Sequence, residues 1–415
     1  MASAPAPSFQ VKRRDLLAAM DFAQAACERR SSLPYLKQLR GKANGRFTLD
    51  GSDLDMVARA TIDCEGYPSQ IVLPSPRLVR AALCATGGDT VSLAQSDPAP
   101  FRDESDKGQP QPDSHLAIVS GGVEATLVTA HPDAFQADDA IAEIEWAATI
   151  SAGELAHIAR VTGAISTEET RYYLNGVAVR KVAEWTWRFQ ATNGHVLKMV
   201  DIPLPDAEGT LPDLTILPRA FVHMLLSKFD KCKGPLRLTY GPKVLRNQPD
   251  GTTLDLQPAA WRFAVTGKIG NVDGEIVSRL IDGTYPDVDR VVPREIARSA
   301  RFNRKALLQA INAVSAFSNE RMRALRLTFN GDASVAISIE SPVFGHAGMA
   351  LECSHTVKGG QTVGFNGAYL ADVVKSFRGE EVVISWADDT IASPPALFTD
   401  PEDTEFRCVV MPMRV

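Results

Sequence analysis

LPSPRLVRAAL, Leu73–Leu83, reads as a strand end, a proline turn and a short helix, and the chain repeats the statement as LPRAFVHMLL from Leu217 and FNGAYLADVV from Phe365. The three copies start 144 and 148 residues apart. A second marker keeps the same step. Amphipathic helices open at Asp15-Leu16-Leu17, Glu154-Leu155-Ala156 and Ala306-Leu307-Leu308, and each leads through a polar turn into an apolar strand near Leu36, Leu174 and Leu325. Leu16, Leu155 and Leu307 fall 139 and 152 residues apart. Two markers on one period imply three tandem domains of one fold, residues 1–142, 143–296 and 297–415. That period is several times the roughly 20–50 residues of a solenoid repeat, so each unit has to bury its own core.

Between the helical markers the text is mostly strand. Arg46 to Ala60, His115 to Thr129, Thr186 to Met199, Leu236 to Tyr240, Trp261 to Gly267 and Val382 to Ser385 mix β-branched and aromatic residues with polar alternation, punctuated by Asn-Gly, Asp-Gly and Gly-Gly turns. Each unit is thus two helices plus antiparallel sheet, an α+β fold. Sheets of three such units can join edge to edge and leave the helices on one face. Asp97 to Asp113 and Gly241 to Pro258 read as surface excursions, and Met1 to Pro7 as a frayed end.

Composition excludes more than it asserts. With 45% hydrophobic and 23% charged residues the chain is ordinary globular material, long enough for two to four domains. A net charge of −6 argues against a body coated in positive charge but leaves room for a basic stripe. The six cysteines, Cys27, Cys64, Cys84, Cys232, Cys353 and Cys408, form no close pair, so neither a metal site nor a disulfide framework is signalled and reduced, partly buried thiols are expected. No apolar run approaches the length of a membrane span, and the N-terminus lacks a signal-peptide core. The expectation is a soluble, cytoplasmic protein without cofactor.

Catalytic motifs are missing: no phosphate loop, no HExxH pair, no GxSxG elbow. Asp50-Gly51-Ser52-Asp53-Leu54-Asp55 resembles a calcium loop without its later Gly and closing Glu, and is read as a hydrated hairpin turn. His195 has no nucleophile or carboxylate beside it in the sequence, and reads as a turn histidine with a packing or peptide-contact role. The informative chemistry is the ending, Cys408-Val409-Val410-Met411-Pro412-Met413-Arg414-Val415, apolar almost to the carboxylate where a tail would ordinarily fray. A last strand accounts for Val409 and Val410. It does not account for Met411-Pro412-Met413, since proline cannot donate to a ladder and methionine makes adaptable apolar surface.

At this tail the chain resembles the bacterial β sliding clamp, the processivity ring of DNA replication. VVMPMRV is nearly the family's ending, and further matches lie along the chain: LDGSDLDMVARA at Leu49–Ala60, RYYLNG at Arg171–Gly176, ATNGH at Ala191–His195, DGTYPDVDRVVP at Asp282–Pro293 and SNERMRALRL at Ser318–Leu327. The resemblance implies three clamp domains per chain, each with two helices on the inner face and sheets outside. It also implies a head-to-tail homodimer closed into a six-domain ring, duplex DNA bound without regard to sequence, and no catalysis. A ring holds DNA by topology, so weak phosphate attraction suffices and strong contacts would brake sliding.

Site residues are implied by the resemblance. A pocket for short apolar peptides of the clamp loader and of replicative and other DNA polymerases is implied at Leu174, Thr192, Gly194, His195, Val196, Leu197, Pro286, Arg290, Val291, Asn366, Tyr369 and Val409, Val410, Met411, Pro412, Met413, Arg414 and Val415. Val196 replaces a commonly basic residue, which predicts a more apolar rim. The helices are expected to carry Lys12 and the DNA-facing Arg13, Arg14, Arg77, Arg80, Arg160, Arg219, Lys228, Arg304, Lys305, Lys375 and Arg378, with Arg30 on a turn, while acid gathers at Asp103–Asp106 and Asp400–Glu405. Glu168-Glu169 speaks against DNA contact from its loop. Ring closure is assigned to Glu124, Ala125 and Leu127 on the first-domain edge and to Ala316, Phe317 and Phe344 on the last. That edge is less charged than is usual in the family, which predicts self-pairing and poor pairing with a conventional clamp. The alternative reading is a clamp-like scaffold, or specialised paralogue, that keeps the pocket but is impaired in loading or closure.

Overall fold

The computed structural model describes residues 8–28, 30–96, 114–129, 140–242, 261–317, 324–331, 333–341 and 345–415. The expectations for residues 1–7, 97–113, 243–258 and 318–323 and for Phe344 lie outside them. The chain gathers into two compact units. One comprises Met1–Leu155, Asp206–Leu211 and Ala220–Leu280, the other Ala156–Pro205, Pro212–Arg219 and Ile281–Val415.

Among the described residues there are six α-helices: α1 (Arg13–Ala23), α2 (Pro76–Ala85), α3 (Ala152–Ile158), α4 (Arg219–Phe229), α5 (Arg304–Ser315) and α6 (Gly367–Ser376). Their positions arise from local chemistry. In α5 the buried residues Leu307, Ala310, Ile311 and Val314 repeat at the three- and four-residue spacing of one helix face, and the Asn303 side chain accepts from the Ala306 N–H to cap its start. Ser151 and Glu154 form a reciprocal capping box before α3, the Glu154 carboxylate accepting from Ser151 N–H at 2.5 Å and the Ser151 hydroxyl from Glu154 N–H at 3.2 Å. This helix is short and continues as a 3₁₀ turn, Ala159–Ala164. The helix-opening motifs at Leu73, Leu217 and Phe365 all end strands that feed α2, α4 and α6.

Among the described residues all pairing between strands is antiparallel. The first unit holds a five-stranded sheet, in the order Glu65–Gly66, Ser8–Lys12, Thr90–Ser96, Ser114–Ser120, Val123–Thr129. Its second sheet has nine strands, and in it Met56–Asp63 pairs with Val272–Arg279 from Thr61↔Asp273 to Met56↔Ser278. The second unit has a nine-stranded sheet in which Val196–Pro203 pairs with Asp403–Val410, and a four-stranded sheet edged by Gly345–Glu352. These two pairings, between strands more than 200 residues apart in sequence, are the edge-to-edge joins expected of the repeat. Among the described residues they are the two seams between repeats.

Several local expectations change. Leu36 and Leu174 lie in the 3₁₀ turns Pro34–Lys37 and Glu169–Leu174 just before their strands, because each must pack beneath the sheet before the chain turns to enter it. Arg46 to Ala60 is a hairpin whose turn is shorter than the Asp50–Asp55 read from the sequence. It reverses at Asp53–Asp55, where the Asp53 carboxylate accepts from Asp55 and Met56 N–H and Leu54 adopts φ 80°. Asp50 is not part of a hydrated turn: it is buried in the strand and paired with Arg40 and Arg59, each at 3.0 Å. Lys12 ends a strand, and Arg378 lies beyond α6. Of the six thiols, Cys232, Cys353 and Cys408 are buried and Cys84 is exposed.

Candidate functional site

The second unit's seam builds the site. Leu197 and Val409 face each other across it in register, 3% and 2% exposed. Strand alternation sends them to the same side, where they join Leu174, Ala178, Met199, Ile216, Tyr285 and Val288 in one apolar cluster. Burial pushes the Tyr285 phenol well above its usual pKa, so this hydroxyl stays protonated at any physiological pH.

Three segments rise around that floor. The loop between strands Thr186–Thr192 and Val196–Pro203 is fixed by its own side chains: the Thr192 hydroxyl donates to Val196 O at 2.8 Å, and the Asn193 side-chain oxygen accepts from His195 and Val196 N–H at 2.9 Å. Gly194 sits at φ 87° with the Arg171 guanidinium 2.9 Å from where a Cβ would stand, so only glycine fits without strain. The loop holds His195 exposed, its ring stacked on Tyr369 at 5.9 Å. Asn366 caps α6 by accepting from Ala368 and Tyr369 N–H, which fixes Tyr369 at the helix start.

The second wall is the segment Pro286–Val291. Asp287 accepts from Asp289 N–H, and its other oxygen receives Arg290 Nε at 3.0 Å, while the Arg290 side chain stays largely exposed. The third wall is the tail. Met411 N–H donates to His195 O at 2.9 Å and Met413 N–H to Gly364 O at 2.8 Å, so the last residues are strapped to two elements. Gly364 has no room for a Cβ because Val415 packs on it. Met411, Met413 and Val415 remain 38%, 39% and 46% exposed. The tail thus presents apolar surface to solvent on an anchored backbone.

The structure brings together most of the expected pocket residues and corrects two. Val196 and Val410 pair with each other in register and are 3% and 1% exposed. Alternation puts them on the face opposite Leu197 and Val409, so Val196 does not make an apolar rim. Sequence reasoning missed Ala178, Met199, Ile216, Tyr285 and Val288 in the floor, although Tyr285 and Val288 stand inside the DGTYPDVDRVVP motif.

The basic residues divide. Arg14, Arg30, Arg77, Arg219, Lys305, Lys375 and Arg378 are exposed. Arg160 is a correction. Its side chain is 7% exposed, bonded to Asp403 at 2.6 Å and Ser376 O at 2.9 Å, with the guanidinium over the Phe406 ring, so it is a packing residue and faces no ligand. Arg13 bonds Leu83 O and Thr86 O at the end of α2, Arg304 bonds Gly379 O, and Arg80 and Lys228 both engage Asp21. Glu168 is paired with Arg171 at 2.6 Å, which offsets its charge. His157, Asp403 and Glu405 gather closely enough to suggest a cation, but Arg378 Nη1 stands 2.8 Å from His157 Nε2 and Arg160 holds Asp403, so two guanidinium charges already fill that role.

At the expected closing edges, Val123–Thr129 is the outer strand of its sheet, with Glu124 exposed. Ala125 and Leu127 line an apolar pocket of about 180 Å³ with Leu78, Leu83 and Ile118. Ala316 and Phe317 come directly after α5, Phe317 being 65% exposed, and Gly345–Glu352 is the other sheet's outer strand.

Comparison with known proteins places these features. The family described as "DNA polymerase III beta subunit, central domain" matches residues 150–287, and "DNA polymerase III beta subunit, C-terminal domain" matches residues 289–414. The chain is 28% identical over 420 residues to the beta sliding clamp of Caulobacter vibrioides, covering 98% of this chain and 99% of that one. It is 26% identical over 414 residues to the beta sliding clamp of Pseudomonas aeruginosa, covering 98% and 100%. Among solved structures it is similar to the Bartonella birtlesii sliding clamp bound to griselimycin, with TM-score 0.78, 27% identity and 99% and 100% coverage. The Caulobacter crescentus DNA polymerase sliding clamp gives TM-score 0.80 at 25% identity, covering 98% and 100%.

Proposed function

This chain belongs to the DNA polymerase III beta subunit family, the bacterial β sliding clamps, and from that premise we propose that it encircles duplex DNA as a closed ring of two copies and tethers polymerases to it. What carries the reading is the end-to-end similarity to sliding clamps, together with the exposed, anchored Met411, Met413 and Val415 at the end of the strand that supplies Val409 to the buried Leu197–Val409 cluster. The three repeats, 1–142, 143–296 and 297–415, are its domains. Its contribution to synthesis is mechanical: it performs no chemical step, and its partners bring the polymerase and the loading energy. No helix among the described residues is long and apolar enough to cross a membrane, and work on chromosomal DNA sets the protein in the cytoplasm.

The pocket takes short apolar peptides from the loader and from polymerases, with the floor supplying burial and Arg290 and Arg414 the polar ends. The exposed helix cations Arg14, Arg77, Arg219, Lys305 and Lys375, with Arg30 and Arg378, hold the phosphates weakly. Closure joins the Val123–Thr129 edge of one copy to the Gly345–Glu352 edge of the other, with Phe317 entering the apolar pocket beside Leu127. Glu124 is the one charged residue on the first of these strands, and that observation supports the self-selective pairing and keeps the scaffold alternative in play.

Two experiments test the ring and its pairing. Primer extension on a long template, with a clamp loader and its polymerase, should become processive on adding the protein; unchanged product length would favour the scaffold. Native mass spectrometry of the protein mixed with a conventional clamp should give two homodimers, and abundant heterodimers would overturn self-selection.

A further inference from the structure

A groove of about 800 Å³ lies beside the pocket, and the two share walls: Val292 and Leu397 pack against the Leu197–Val409 cluster and also line the groove. We infer that this groove docks acidic residues flanking the apolar anchor of the same partner peptide, an inference that rests on the pocket reading above. The argument is one of charges already spent and charges left over. The Asp289 carboxylate receives Arg180 Nη1 and Arg188 Nη1, both at 3.0 Å. Asp400 is 1% exposed and turned inward, accepting from Gly379 N–H at 2.8 Å and Glu402 N–H at 3.0 Å. Arg188 and Arg407 are in turn held by Asp201 at 2.7 and 2.9 Å.

Two cations of the lining stay outside this network. Lys181 stands over the Trp187 ring at 5.0 Å, and Arg294 lies just beyond the Pro286–Val291 wall; both are exposed and neither enters a salt bridge among the described residues. A peptide leaving the pocket past Val292 therefore meets an open, positively charged channel whose own carboxylates are occupied. Acidic flanks gain there and basic flanks lose. The groove thus ranks partners that share an apolar anchor, by charges outside that anchor.

The test uses the full chain and a fluorescein-labelled peptide built on two leucines and a phenylalanine, alone or with three aspartates added at either end. Anisotropy titrations at low salt should show one of the two extensions tightening binding roughly three- to tenfold, with the gain fading at high salt. In Lys181→Glu/Arg294→Glu, and partly in Arg294→Ala, the gain should vanish while the unextended peptide binds as before. An extension that gives no gain at either end, or a gain that survives the charge reversal, overturns the groove and leaves the pocket standing. Failure of the unextended peptide to bind the unaltered protein overturns the pocket, and the groove with it.

Discussion

Along the seam of Met56–Asp63 with Val272–Arg279, two ion pairs cross at exposed positions, Arg46 to Asp273 at 2.6 Å and Arg279 to Asp55 at 3.2 Å, and one is part-buried, Arg59 to Glu275 at 2.5 Å. Its apolar pairs Ala58↔Ile276 and Val57↔Val277 are all at most 1% exposed. Along the seam of Val196–Pro203 with Asp403–Val410, one charge has gone inside. Lys198, 2% exposed in its side chain, reaches Asp372 at 2.6 Å and the Ser376 hydroxyl at 3.0 Å. Beside it the Leu197–Val409 pair opens toward exposed His195, Met411 and Met413. The same edge-to-edge join thus carries its most exposed ion pairs at the surface in one place, and in the other a buried ion pair beside the proposed peptide site. The difference lies in the segments that adjoin the strands: both seams are entered through a loop pinned by its own side chains, but the second is followed by the tail Met411–Val415.

If the buried pair anchors the second seam, Asp372→Ala should be the most damaging single change. It strands an ammonium in the sheet, and since the aspartate is half exposed the loss belongs at the low end of roughly 3–5 kcal/mol. Lys198→Met, of similar volume, should cost much less; denaturant titrations that rank the two the other way would refute the anchoring role. Deleting Met411–Val415 should weaken pocket-peptide binding more than tenfold by removing one wall, while the unfolding midpoint barely moves. Normal polymerase stimulation by the truncated protein would remove the tail from the site.

Smaller effects sharpen the contrast. Gly194→Ala should cost about 1–2 kcal/mol and loosen peptide binding, from left-handed backbone strain and the Arg171 contact. At the first seam, Arg46→Ala should change stability by about 1 kcal/mol or less, since that pair is half exposed on both sides. The least effect belongs to His157. Burial, then the charges of Arg378 and Arg160, hold its pKa below the usual value against the opposing pull of Asp403 and Glu405. A lowered folded pKa means the unfolded chain takes the proton first, so this contribution is present above the ordinary histidine pKa and is lost as pH falls through the folded one. His157→Gln should flatten that part of the stability profile, the stretch running downward from the ordinary histidine range.

Much of this architecture was legible in the sequence, for identifiable reasons. The repeats of Leu73, Leu217 and Phe365 are local signals, and each became a strand end feeding a helix. The pocket floor was half legible, since Leu174, Leu197 and Val409 stand in or beside family-like motifs while Ala178 and Ile216 stand in none. Lys198 and Arg160 were not legible. Their partners Asp372 and Asp403 lie 174 and 243 residues away, and a basic residue gives no local sign of whether it reaches water or a distant carboxylate. Val196 was misplaced because its place on the rim came from the resemblance alone, whereas a strand turns each neighbour to the other face.

Retention on closed DNA is the most direct measure of the central claim. The protein, loaded onto a nicked circle by a clamp loader and washed at high salt, should stay with the circle and leave when a restriction enzyme cuts it into a line. Release from the intact circle by salt alone, or retention on the linear product, would contradict a grip that comes from enclosure.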